Sequence, residues 1–174
     1  FENDVIIPAG CTHYPTLTGG VSHAAYAKTV TIERGAKLYL NDAYLNVYGD
    51  LRVTGNLRML HNNDVINVTG SVFWDNGSTA LSQEFSTIYC YRNWTFGTGS
   101  SVEFEAGNVV FVSDQDSYIV CNSRNSWFHT LKVNKSSGAL TKLHENSTCD
   151  LQIHNDLNIM TGSIFTSNSS KNIL

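Results

Sequence analysis

Leu45-Asn-Val47-Tyr-Gly49-Asp-Leu51-Arg-Val53 alternates apolar residues with others about a central Gly49. Alternation of period 2 puts Leu45, Val47, Leu51 and Val53 on one side of an extended chain. The pattern returns at Ile66-Asn-Val68-Thr-Gly70-Ser-Val72-Phe-Trp74 and at Ile88-Tyr-Cys90-Tyr-Arg92-Asn-Trp94-Thr-Phe96. A fourth copy is Leu151-Gln-Ile153-His-Asn155-Asp-Leu157-Asn-Ile159. The starts at 45, 66, 88 and 151 leave gaps of 21, 22 and 63, the last being three times 21. Such a period requires copies near 109 and 130, and Val110-Phe-Val112-Ser-Asp114 and Leu131-Lys-Val133-Asn-Lys135 stand there.

The third motif position then reads Val47, Val68, Cys90, Val112, Val133 and Ile153, all small or β-branched apolar groups suited to a buried pleated surface. A fixed period of about 20 to 25 residues marks a solenoid. Twenty-one residues accommodate three short strands and three bends, one turn of a coil whose equivalent side chains stack. The fifth motif position is Gly49, Gly70, Arg92, Asp114, Lys135 and Asn155. Gly and Asn there are expected to bend the chain through left-handed backbone, a role that Arg92 and Lys135 fit less well. The expected fold is all-β, a right-handed parallel β-helix with rungs of about 21 residues. An antiparallel β-sandwich is the rival, but tight hairpin signals are sparse beyond Asn76-Gly77. A leucine-rich repeat has a similar period, but its helical leg and asparagine ladder are missing.

Residues 1–28 lack the motif and hold both prolines, Pro8 and Pro15. Val5-Ile-Ile-Pro-Ala-Gly10 is expected to enter as a strand, with the rest of residues 1–28 capping the first rung. Residues 29–174 are assigned to the rungs, beginning at Val30-Thr-Ile32-Glu-Arg-Gly35. The repeat runs through Thr161-Gly-Ser-Ile-Phe165 to Leu174 with no closing segment, so the last rung is expected to continue into more chain or to dock on another subunit, head to tail.

Composition narrows function by exclusion. Charged residues are only 15% of the 174, the net charge is −4, and Lys and Arg do not cluster, so a nucleic-acid footprint is absent. No run of 18 apolar residues exists that would span a membrane. The polar uncharged surface and the even count of cysteines (Cys11, Cys90, Cys121, Cys149) point to a secreted protein in an oxidising compartment. Cys90 falls on the inward ladder and reads as a buried thiol. Cys121 and Cys149 fall on successive legs and are the candidate disulfide. Six N-x-S/T sequons, at Asn67, Asn76, Asn93, Asn134, Asn146 and Asn168, are candidate glycosylation sites.

The segments Asp4-Val-Ile-Ile-Pro-Ala-Gly10, Tyr14-Pro-Thr-Leu17, Val30-Thr-Ile-Glu-Arg-Gly-Ala-Lys-Leu38 and Phe128-His-Thr-Leu-Lys-Val-Asn-Lys-Ser-Ser-Gly138, taken in order, resemble bacterial secreted surface proteins built on right-handed β-helix repeats. Gly99-Ser-Ser-Val-Glu-Phe104 and Leu157-Asn-Ile-Met-Thr-Gly-Ser-Ile-Phe165 add to the likeness, which covers nearly the whole chain. The resemblance implies a surface, adhesive or structural role and names neither a ligand nor a catalytic residue.

Three functions follow as expectations. The first is a structural extracellular module that self-associates end to end into a filament, with no enzymatic activity and no cofactor. The second is an adhesin or carbohydrate-binding module with a glycan ligand. Its exposed face would carry Tyr48 and Tyr91, which share the fourth motif position two rungs apart. The third is a polysaccharide lyase or glycoside hydrolase, which needs grouped carboxylates with a basic residue. Asp114-Gln-Asp116 with Arg124 is the only local candidate, and carboxylates on a bend more often solvate the turn. Glu103 and Glu105 alternate with Val102 and Phe104 and so point outward. The six histidines show no H-x-x-x-H spacing for zinc.

Overall fold

Every strand is short because each leg of the coil must turn a corner after three to eight residues. The computed structural model describes residues 3–82, 85–136, 138–160, 164–167 and 172–174, and these residues contain strands and turns but no helix. β1 (Asp4–Ile7), β2 (Thr16–Leu17) and β3 (Gly20–Ala27) make the first turn. β4 (Thr29–Ile32), β5 (Lys37–Leu40) and β6 (Ala43–Val47) make the second, and β7 (Leu51–Val53), β8 (Asn56–Met59) and β9 (Val65–Val68) the third. β10 (Val72–Trp74), β11 (Thr79–Leu81) and β12 (Thr87–Cys90) follow, then β13 (Trp94–Phe96), β14 (Ser101–Val102) and β15 (Asn108–Ser113). β16 (Ser117–Cys121) and β17 (Phe128–Lys135) form the sixth turn, β18 (Leu140–Leu143) and β19 (Ile153–Ile159) the seventh, and β20 (Ile164–Ser167) continues beyond it.

The three legs stack into three parallel sheets. The first runs β1-β4-β7-β10-β13-β16-β18-β20, the second β2-β5-β8-β11-β14, and the third β3-β6-β9-β12-β15-β17-β19. The chain is therefore a parallel β-helix of about seven turns. β1, β2 and β3 already pair with β4, β5 and β6, so the motif-free stretch before Lys28 forms the first rung itself.

Register corrects the repeat in three ways. The third-sheet ladder reads Ala27, Val47, Val68, Cys90, Phe111, Val133, Ile159. Phe111, not Val112, fills its position, because a one-residue slip in a period-2 pattern swaps the two faces. Ile159, not Ile153, is the seventh member, because the last rung is longer. The steps from Leu45 through Ile66, Ile88, Val109 and Leu131 to Leu157 are 21, 22, 21, 22 and 26 residues.

The third correction concerns the bends. Gly49 and Gly70 do not have positive φ. A Cβ on Gly70 would lie 2.5 Å from the carbonyl carbon and oxygen of Gly49, and one on Gly49 would lie 2.8 Å from the Lys28 oxygen. These positions exclude a side chain because successive turns touch there, backbone against backbone. At the fifth turn the bend is Ser113, with φ 123°, and not Asp114. At the sixth, Lys135 is only 3% exposed. Its ammonium donates to the Gln115 carbonyl at 2.6 Å, Ser117 Oγ at 2.8 Å and Ser113 Oγ at 3.2 Å, tying two turns together. Burial lowers its pKa below the ordinary lysine value.

The interior is a continuous apolar column from Ile7 to Leu151. Its middle is aromatic: Trp74, Trp94, Phe96, Phe104, Phe111 and Phe128 are fully buried, or nearly so. The first-sheet step between Trp94 and Ile119 lengthens to 25 residues in the same region.

Candidate functional site

Outward side chains on the third sheet form the largest organised surface. Asn67 Nδ2 donates to Asn46 Oδ1 at 2.9 Å, so these two positions begin an amide ladder along the coil. Tyr48 and Tyr91 are exposed, with Thr69 between them in register. Tyr48 stacks on Tyr26, with ring centroids 6.4 Å apart and planes at 11°. The aromatic stripe thus lies toward the first turn, and Tyr91 stands a rung beyond Thr69.

Of the sequon asparagines, Asn76, Asn93, Asn134 and Asn146 are exposed, and Asn67 is half-buried within its ladder. Asn168 lies outside the described residues. Asn93 also accepts the Tyr118 amide through Oδ1 at 2.9 Å, which leaves its nitrogen for other partners.

All four cysteines are free thiols in this structure. Cys90 sits in the ladder between Val68 and Phe111, as its inward position requires. Burial pushes its pKa up to about 12. Cys121 and Cys149 lie on adjacent rungs, the Cys149 amide donating to the Cys121 carbonyl at 3.0 Å. Burial, with the neighbouring Cys149 adding to it, pushes Cys121 up to about 11. The thiolate is the reacting form, so the folded protein has a reactivity order. A maleimide at neutral pH will modify exposed Cys11 first and half-buried Cys149 more slowly. Cys121 and Cys90 will react only after denaturation. Peptide mass mapping reads this directly, and rapid labelling of Cys90 in the folded protein would contradict the ladder.

The carboxylate candidate does not assemble as chemistry. Asp116 Oδ1 accepts the Leu140 amide at 2.9 Å, and Oδ2 accepts Lys142 Nζ at 2.9 Å. The lysine, helped by that amide, holds Asp116 below the usual carboxylate range. A glycosidic general acid needs the opposite shift. Arg124 is exposed, and among the described residues it forms no ion pair with Asp114 or Asp116. No group of three or more His, Cys, Asp or Glu side chains that could hold a metal ion occurs among the described residues. None of their elements is a helix long and apolar enough to cross a membrane.

A site that the sequence did not announce lies lower on the third sheet. A hollow of about 240 Å³ opens there, lined by Phe85, Asn108, His129, Thr130, Lys132 and Asp156 among others. Asn108, Thr130 and Asp156 are in register on β15, β17 and β19, so one outward ladder supplies three of its polar groups. Asn155 Nδ2 donates to Thr130 Oγ1 at 3.2 Å and fixes that hydroxyl. Two irregularities converge on this place. Phe85 is 66% exposed and has φ 65°, a backbone conformation costly for a bulky residue. Between β17 and β19 the pairing jumps from Phe128↔Ile153 to Thr130↔Asp156, so two residues on one strand face three on the other. Such a bulge re-aims side chains. Here His154 is stacked on Trp127, centroids 4.6 Å apart, while Asn155 and Asp156 line the hollow.

No protein-family model, curated protein or solved structure matches this chain. The parallel β-helix stands on its strand register, and bacterial origin and secretion have no matching relative behind them.

Proposed function

We propose that this chain is a non-catalytic structural module of a bacterial secreted or cell-surface protein, and that its β-helix associates end to end with further copies. The supporting observation is the pair of apolar ends. On β19 the ladder residues Leu157 and Ile159 are 36% and 43% exposed, and the adjoining Met160 is 46% exposed. At the first turn an apolar hollow of about 130 Å³ opens among Val5, Ile7, Pro15, Leu17 and Ala25. The ladder therefore starts small, at Ala25 and Ala27, and finishes large, at Leu157 and Ile159. Bulky residues at one end facing a hollow at the other favour a head-to-tail contact, which does not close and so grows into a filament.

An oxidising exterior accords with the low charge and with the exposed sequons Asn76, Asn93, Asn134 and Asn146. In that setting Cys121 and Cys149 close into a disulfide, their two protons and two electrons passing to a small disulfide oxidant. Enzymatic activity forms no part of this reading, because both Asp116 oxygens are engaged in holding neighbouring rungs.

Sedimentation velocity over a wide concentration range tests the association. The unaltered protein is expected to shift to larger species as concentration rises, and Ile159→Lys to remain a monomer. A concentration-independent monomer for the unaltered protein, or association untouched by Ile159→Lys, overturns the proposal.

A further inference from the structure

We infer that the hollow around Phe85 is a binding site for a neutral pyranose sugar unit. This inference is independent of end-to-end association, since the hollow lies on the outer face of the third sheet. A pyranose presents two kinds of surface: hydroxyl groups that both donate and accept, and an apolar face of C–H bonds. The hollow offers a counterpart to each.

The exposed Phe85 ring at its lip is an apolar platform on which a C–H face can pack. The other side chains form a mixed set of donors and acceptors. Asp156 only accepts, Lys132 only donates, and Asn108 does both. Among the described residues no ion pair ties down Lys132 or Asp156. One positive and one negative group leave the hollow without net charge when His129 is neutral, which favours an uncharged sugar over an acidic or amino sugar. Its volume of about 240 Å³ suits one ring rather than a long buried oligosaccharide.

The backbone supplies the second line of argument. Phe85 would be relaxed by glycine at φ 65°, yet a large aromatic stands there. A strained residue and a β-bulge meeting at one groove indicate local stability given up for the placement of Phe85, Asn155 and Asp156. The strain makes a signature that a merely structural role would not give. Phe85→Gly should raise thermal stability while weakening sugar binding at least about tenfold.

The experiment is an amide-resolved NMR titration of the whole chain at millimolar concentrations of sugar. The probes are methyl β-glucopyranoside, methyl β-galactopyranoside and methyl α-mannopyranoside, with glucuronate and glucosamine as charged comparators. At least one neutral glycoside should saturably shift the amides of Asn108, His129 and Asp156. Those shifts should disappear in Phe85→Gly and in Asp156→Ala, and persist in Tyr48→Ala. No saturable shift with any neutral glycoside, shifts centred elsewhere, response to charged sugars alone, or binding unchanged in Phe85→Gly would each overturn the assignment.

Discussion

Trp94→Ala is expected to lower the unfolding free energy by about 3–5 kcal/mol, measured as the shift of a urea denaturation curve at unchanged slope. Trp94 is fully buried and touches rings on every side. Its centroid lies 5.8 Å from Trp74, Phe96 and Phe104, 6.4 Å from Phe111 and 5.3 Å from Phe128. Removing it leaves a cavity that five stiff rings held by flanking sheets cannot collapse to fill. Each turn of a solenoid is supported mainly by its two neighbours, so a hole in the fifth turn weakens the coupling of both halves. The buried indole N–H of Trp94 has no hydrogen-bond partner among the described residues. Trp94→Phe removes that unsatisfied donor and keeps most of the ring, so its cost should stay below about 1.5 kcal/mol. A Trp94→Ala cost under about 1 kcal/mol would mean that the aromatic column does not hold the middle turns.

Gly55→Ala should be nearly as damaging, near the upper end of the 1–3 kcal/mol range typical of overpacking. An added Cβ would lie 2.3 Å from the Glu33 carbonyl oxygen and 2.4 Å from that of Ala36. Both obstacles are backbone, and the Ala36 oxygen accepts the Asn56 amide at 2.9 Å, so moving it breaks the register between turns. Gly55 does not have positive φ, so the cost is steric and not conformational. Gly10→Ala is the matched control. Gly10 has φ 77° but nothing within 4 Å of its Cβ, and it should lose only the roughly 1–2 kcal/mol of left-handed strain. Thermal melts of the two variants separate these causes, and equal losses would count against close stacking of the turns.

The coil was legible because two simple signals coincide. Alternation decided which side chains face in, and the recurrence at 45, 66 and 88 fixed the rung length where turns are most regular. Legibility failed where the rungs change. At Val109–Val112 three consecutive buried residues erase the alternation, so the phase of Phe111 was lost. At residues 151–159 the bulge adds a residue, and a repeat counted from Leu151 lands on Ile153 instead of Ile159. Gly49 and Gly70 showed where the bends fall but not why, since a clash between turns is invisible in a linear pattern. Lys135 looked like an ill-suited corner until its three acceptors were in place.

The sugar hollow was the least legible feature. Asn108, Thr130 and Asp156 are 22 and 26 residues apart, and only the altered spacing of the last rung brings Asp156 into line. Phe85 sits in a stretch with no motif, and its significance rests on a backbone angle that composition does not reveal.

Negative-stain imaging of the purified chain at the concentration where sedimentation shows large species tests the central claim most directly. Seven rungs at about 4.8 Å each make one molecule about 34 Å long. The account predicts unbranched rods much longer than that, one solenoid wide, which vanish in Ile159→Lys. Particles no longer than a single solenoid, or clusters without a common axis, would contradict it.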